Sequence, residues 1–192
     1  MAITRIGPNQ SINLASNITG TLPVANGGTA ITSGFINGTA TPGKILQVIS
    51  SENAYQHSTT SSSYTDLLSA SGTTWETAIT PSATSSKIII MSNLCLTWEQ
   101  NGNSNNRGNV QVLSKTGSGS YSALQSAMGG NYDYGGSGVQ SRQRFQIQYL
   151  ISPSTTSAVT VKFQFKSSSS TSTNFNDGGI ADSVCILYEV AG

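Results

Sequence analysis

Between Lys44 and Val190 apolar side chains keep returning at every second position, a spacing that puts them on one face of an extended strand. The segment RQRFQIQYLI (142–151) is the clearest case. Phe145, Ile147, Tyr149 and Ile151 fall in one phase, and Arg144, Gln146 and Gln148 in the other. Thr160 to Lys166 alternates again, and KILQVISS (44–51) sets Ile45, Gln47 and Ile49 against Leu46 and Val48. No apolar pattern holds helical spacing over more than about two turns, so an amphipathic helix has no foothold. Charged residues are only 9% of the chain, against about 25% in a typical domain, and Ser, Thr, Asn, Gln and Gly take their place. Thr is β-branched and favours strands, while Ser and Asn compete with a helical backbone through local hydrogen bonds.

The alternating runs come at even spacing, with turn clusters between them. SYTDLLSA (63–70) and TWETAIT (74–80) flank Ser71-Gly72 and read as a hairpin. KIIIMSNLCLTWE (87–99) is the most apolar run and is the expected central strand. NVQVLSK (109–115) follows a polar loop, and SVCILYEV (183–190) reads as a last strand tucked into the sheet. Residues 116–140 and 167–179 read as long loops. About eight strands without intervening helices predict an all-β fold, an antiparallel β-sandwich of jelly-roll type over residues 44–192. The expected core includes Ile45, Val48, Ile88, Ile90, Leu94, Leu96 and Val112. It continues through Phe145, Ile147, Tyr149, Val161, Phe163, Ile186 and Tyr188.

Residues 1–43 differ. Gly, Asn, Thr and Pro recur every few positions, and Arg5 is the sole charge. Such a segment cannot bury enough apolar surface to fold alone. Single apolar residues nevertheless keep returning, among them Ile12, Leu14, Leu22 and Val24. That spacing suits an extended arm laid on another surface, serving attachment or oligomerisation.

Signs of chemistry are sparse. His57 is the single histidine, so a Ser–His–Asp arrangement would have to use it, with Asp66 or another carboxylate as orienter. No GxSxG elbow appears, and no CxxC or HxxxH spacing exists for a metal. Asn176-Asp177-Gly178-Gly179 reads as a tight turn rather than a calcium loop, because no further carboxylate completes a site nearby. Cys95 and Cys185 sit in apolar runs and read as buried free thiols. The expectation is therefore a protein that is not an enzyme and carries no cofactor or metal. A net charge of +1 without a Lys/Arg cluster gives nucleic acid no footprint. No segment reaches the ~18 apolar residues of a membrane span, and the N-terminus lacks the apolar core of a secretory signal, so synthesis in a cytoplasm is expected. The best recognition candidate is the Gly/Ser/Tyr-rich stretch with Tyr121, Tyr132, Asp133 and Tyr134, since tyrosine offers large contact area and stacks on sugar faces. Packing between subunits would equally explain these tyrosines.

Several strings carry a resemblance. ITGTLPVANGGTAITSG (18–34) resembles the GTLPVxNGGTG segment of tail-fibre-like and other virion structural proteins of marine and cyanobacterial tailed phages, with Ala30 where the final glycine usually falls. ITPSATSSKIII (79–90), YLISPSTTSAVTVKFQFKS (149–167) and the ending ILYEVAG (186–192) are similar to the TSSKI strand, SPxTTSA turn and E-I/V-A-G ending of the same group. The resemblance implies a structural part of a virion. It takes the form of a homotrimeric fibre-type appendage, held by the arm to other virion proteins of the capsid or tail. The sandwich would then be exposed toward a host surface glycan. A cement or decoration protein clamping the capsid shell is the other form it implies.

Overall fold

The thirteen-residue run Lys87–Glu99 forms the longest strand, and its alternate side chains Ile88, Ile90, Leu94, Leu96 and Trp98 are all buried. A computed structural model describes residues 42–99, 108–129, 140–168, 172–177 and 182–192. All of them belong to one compact unit, Pro42–Gly192. The expected arm falls outside the described residues apart from Pro42 and Gly43. Every regular element among the described residues is a strand: β1 (Ile45–Asn53), β2 (His57–Thr59), β3 (Thr65–Asp66), β4 (Glu76–Ile79), β5 (Lys87–Glu99), β6 (Gly108–Thr116), β7 (Ser122–Gly129), β8 (Gln140–Ile151), β9 (Val159–Ser167), β10 (Thr173–Phe175) and β11 (Ser183–Val190).

These strands pair antiparallel in two sheets. In the first, β5 is central. It pairs β8 along one side, and β11 and then β10 along the other; β1 pairs β11 and β2 pairs β10. Taking β1/β2 and β10/β11 as interrupted single strands, the order is β1/β2, β11/β10, β5, β8. In the second sheet β9 pairs β6 on one side and both β3 and β4 on the other, and β6 pairs β7. Its order is β3/β4, β9, β6, β7. Four strands face four, and successive segments cross between sheets in the sequence of a jelly roll. The expected antiparallel sandwich is therefore what the chain forms.

Hydrophobic burial between the sheets holds them together. Ile88, Ile90, Leu94, Phe145, Ile147 and Leu187 of the first sheet meet Ile79, Val110, Val112, Val161, Phe163 and Phe165 of the second in one apolar cluster. Trp75 tilts between Phe163 and Phe175, with ring centroids 5.4 and 6.1 Å away. Its indole Nε1 donates to Ser51 Oγ at 3.1 Å, which satisfies the polar edge of a buried ring.

Three sequence expectations need correction. Ile45 and Val48 are 55% and 51% exposed, because β1 is an edge strand and turns these residues away from the second sheet. Ile186 and Tyr188 are half-buried on the outer face; Ser183, Cys185, Leu187 and Glu189 take the inner phase of β11. The stretches 116–140 and 167–179 contain strands β7 and β10. The turn at Ser71-Gly72 exists, with Ser69 N donating to Thr73 O at 2.8 Å and Gly72 at φ +76°. The expected hairpin is therefore present and short, with Leu68 bridging Thr74 antiparallel and Trp75 N donating to Leu67 O at 2.8 Å; beyond it β3 and β4 each pair β9.

Candidate functional site

Tyr121 directly precedes β7 at the outer face of the second sheet. The register fixes what shares that face. Asp66, Gln164 and Gln111 lie in one cross-strand row, Glu76, Lys162, Leu113 and Ala123 in the next, and Ala78, Thr160 and Lys115 in a third. Alternation explains the pattern: in β9 the inner phase is Val159, Val161, Phe163 and Phe165, so Lys162, Gln164 and Lys166 must point outward.

The Lys162 ammonium is 2.8 and 2.9 Å from the two oxygens of Asp66, and Gln164 Nε2 donates to Asp66 Oδ1 at 2.6 Å. Thr74 Oγ1 donates to Oδ2 at 3.2 Å. Desolvation pushes the Asp66 carboxyl up, but the donors from Lys162, Gln164 and Thr74 outweigh it and hold the carboxyl below its ordinary range. The same Lys162 ammonium lies 4.4 Å from the Tyr121 ring centroid, and that of Lys115 lies 4.6 Å from it. Lys115 also sits 3.9 Å from Glu76. Burial and the Glu76 carboxylate both raise the Tyr121 phenol, which stays protonated at neutral pH. A second pair repeats the theme, with Lys166 Nζ 4.7 Å from the Tyr64 ring centroid. Each cation–π contact contributes about 0.5–2 kcal/mol at such half-buried positions. The result is a face of three lysines and two carboxylates set among aromatic rings.

Of the residues singled out from sequence, this face contains Tyr121, the recognition candidate, and Asp66, named there only as an orienter for His57. Tyr132, Asp133 and Tyr134 lie outside the described residues, as do Ile12, Leu14, Leu22 and Val24. The lysines beside Tyr121 were not anticipated. Their signal was present in TVKFQFK, where Lys162 and Lys166 share the polar phase.

His57 and Asp66 are not brought together. The imidazole lies edge-on to Phe165 with centroids 5.1 Å apart, and burial lowers its pKa. Both Asp66 oxygens are engaged by Lys162, Gln164 and Thr74 instead. Asn176 is buried at φ +53°, a conformation Asn tolerates, and its side chain donates to Asn53 O and Tyr55 O while accepting from Ser183 Oγ. Asp177 lies 3.9 Å from Arg142. These contacts make the Asn176-Asp177 pair a structural corner of the first sheet. Among the described residues no group of three or more His, Cys, Asp or Glu side chains converges.

The cysteines are both free and buried. Cys185 pairs Ser92 in the ladder and points inward, while Cys95, three positions along, points to the opposite face. A disulfide between them is excluded by the sheet itself. Desolvation raises both thiols, that of Cys185 to about 11.

One further polar residue escaped the sequence reading. Glu189 is 1% exposed, in phase with Cys185 and Leu187. Its Oε1 accepts from Ser82 N, Ser82 Oγ and Ser86 Oγ, each at 2.6 Å, and its Oε2 from Gln47 Nε2 at 2.7 Å. Desolvation pushes this carboxyl up, and the four donors more than offset it, leaving it below its ordinary value. The cluster ties β1 and the turn before β5 to the last strand.

No protein-family model matches the chain, and no curated protein sequence matches it. Solved structures similar to it include that of the Gx strain of infectious bursal disease virus, at 12% identity and TM-score 0.38 over 80% of this chain and 38% of that chain. Another is the T13 particle of the same virus, at 10% identity and TM-score 0.39 over 81% of this chain and 38% of that one. The VP2 subviral particle of that virus shows 14% identity and TM-score 0.36 over 81% and 40%. The chain thus spans about two-fifths of the length of the chains it matches.

Proposed function

We propose that the chain is a non-enzymatic structural part of a tailed-phage virion, a homotrimeric fibre-type appendage. Residues 1–43 attach it to a capsid or tail protein, and the sandwich forms the exposed head. The observation that carries this reading is the division of labour between the two outer sheet faces. One is polar and charged around Tyr121, while the other leaves Ile45, Val48, Met91 and Leu150 exposed. A body of this kind has one side fit for solvent and one side that gains from contact with another protein. The strings shared with phage virion proteins support the same assignment. Host contact belongs to the stretch of sequence that carries Tyr121, Tyr132, Asp133 and Tyr134, with a surface glycan as its ligand. Deletion of residues 1–43 tests the attachment role. The full chain should co-sediment with particles stripped of the protein, and the truncated chain should stay folded and remain in the supernatant. Equal co-sedimentation of both would overturn the role of the arm.

A further inference from the structure

The outer face of the first sheet carries an apolar row across all four of its strands and a polar fringe beyond it. Val48, Tyr188, Ile89 and Leu150 form one continuous row from edge to edge. The next row is Ser50, Ile186, Met91 and Gln148, and the one beyond it is Glu52, Val184, Asn93 and Gln146. Four strands ~4.8 Å apart and about seven residues long at ~3.4 Å each make a face of roughly 450 Å² in projection. Its apolar part, the row Val48–Leu150 with Ile186, Met91 and Val184 beside it, takes up somewhat over half of that area, on the order of the ~300 Å² at which an apolar patch on a monomer becomes informative. With its polar rim it approaches the ~800 Å² that each partner buries in a specific interface.

Two details say what covers it. The most exposed apolar residues stand at opposite edges: Ile45 and Val48 on β1, at 55% and 51%, and Leu150 on β8, at 55%. The charges of the rim are likewise divided. Exposed Glu52 lies on the β1 edge, and exposed Arg144 lies on the β8 edge one row beyond Gln146. A copy of the chain rotated about an axis parallel to the strands keeps the rows in step. It brings its β8 edge to the β1 edge of its neighbour, so that Leu150 meets Val48 and Arg144 comes diagonally beside Glu52. Asn93, Gln146 and Gln148 line a shallow notch on this face together with Met91, Val184 and Ile186.

We propose that this face is the subunit contact, turned toward a three-fold axis with the β1 edge of each copy against the β8 edge of the next. The inference rests on the homotrimeric reading above and adds the surface and polarity of the contact. It is tested with the full chain carrying Val48→Cys and Leu150→Cys together, oxidised and run under denaturing, non-reducing conditions. The double variant should give a ladder ending at a covalent trimer, and each single variant should stay monomeric on the gel, because like residues are a sheet width apart. Leu150→Asp, at an exposed position that folding tolerates, should convert trimers to monomers with unchanged circular dichroism. A wild-type trimer in light scattering, with no cross-link in the double variant and no effect of Leu150→Asp, would remove this face from the interface and leave the trimer standing. A ladder ending at two would overturn the three-fold arrangement. A monomeric wild type would overturn both the contact and the reading it rests on.

Discussion

Glu189 is the residue whose loss the structure predicts most sharply. Replacing it with alanine strands one main-chain N–H, that of Ser82, and the hydroxyl of Ser86, itself 1% exposed, while Gln47 and Ser82 Oγ lose their shared acceptor. A hydrogen bond to a charged acceptor contributes ~1.5–3 kcal/mol, and a stranded buried donor costs ~1–3 kcal/mol. Donors that turn toward solvent recover part of this, so Glu189→Ala should cost about 3–5 kcal/mol. For a domain of this size that is a fall in Tm of roughly 6–20 °C. Glu189→Gln should fall between wild type and alanine, because its amide presents one acceptor and one misplaced donor to the serines. The folded-state carboxyl lies below its ordinary value, so its contribution is present above the unfolded pKa of about 4.3 and is lost as pH falls through the folded pKa. Chemical denaturation of wild type and Glu189→Gln, followed by circular dichroism at pH 7 and at pH 3, reads both effects. The gap should be widest at neutral pH and shrink in acid. An alanine variant within about 1 kcal/mol of wild type, or a gap that does not change with pH, would refute the cluster as an anchor of the last strand.

Other perturbations have equally direct readouts. A Cβ at Gly108 would meet Trp98 Cε3 at 3.0 Å and Leu96 Cδ2 at 3.3 Å, so Gly108→Ala should destabilise by ~1–3 kcal/mol in denaturant titration, as overpacked core sites do. Asp66→Asn removes the ion pair with Lys162 and should cost about 1 kcal/mol at pH 7, with the loss fading below the ordinary carboxylate range because the folded Asp66 carboxyl titrates low. Neither Cys95 nor Cys185 should react with a thiol reagent at pH 8 in the folded protein, and both should react on unfolding; prompt labelling of Cys185 in native buffer would contradict its burial.

Where alternation was strong and the strand central, the sequence was an accurate guide. Lys87–Glu99 and Ser183–Val190 form strands with the bounds their apolar runs suggest, and Phe145, Ile147, Val161 and Phe163 point inward as their phase requires. Phase failed in β11, because SVCILYEV is apolar in both phases: Val184, Ile186 and Tyr188 look as core-like as Cys185 and Leu187. Edge position misled the reading of Ile45 and Val48, whose β-branched side chains mark a strand but not which side is covered. Strand β7 hid in a stretch of glycine and serine, where cross-strand pairing to β6 rather than local pattern sets the backbone. For the candidate face, Tyr121 was legible by type. Its partners required the register between β6 and β9, which no local window contains.

The central claim is that this chain is built into a virus particle, and labelling the particle tests it most directly. Gradient-purified virions carrying this sequence, probed with an antibody raised against residues 44–192 and imaged with gold, should show label at discrete positions, in copy numbers from a few to tens, with three chains of 19.9 kDa per projecting unit. Label spread evenly over the head in hundreds of copies would contradict the fibre and indicate a cement protein. Particles that bind no antibody and contain no peptide of this chain would contradict the claim itself.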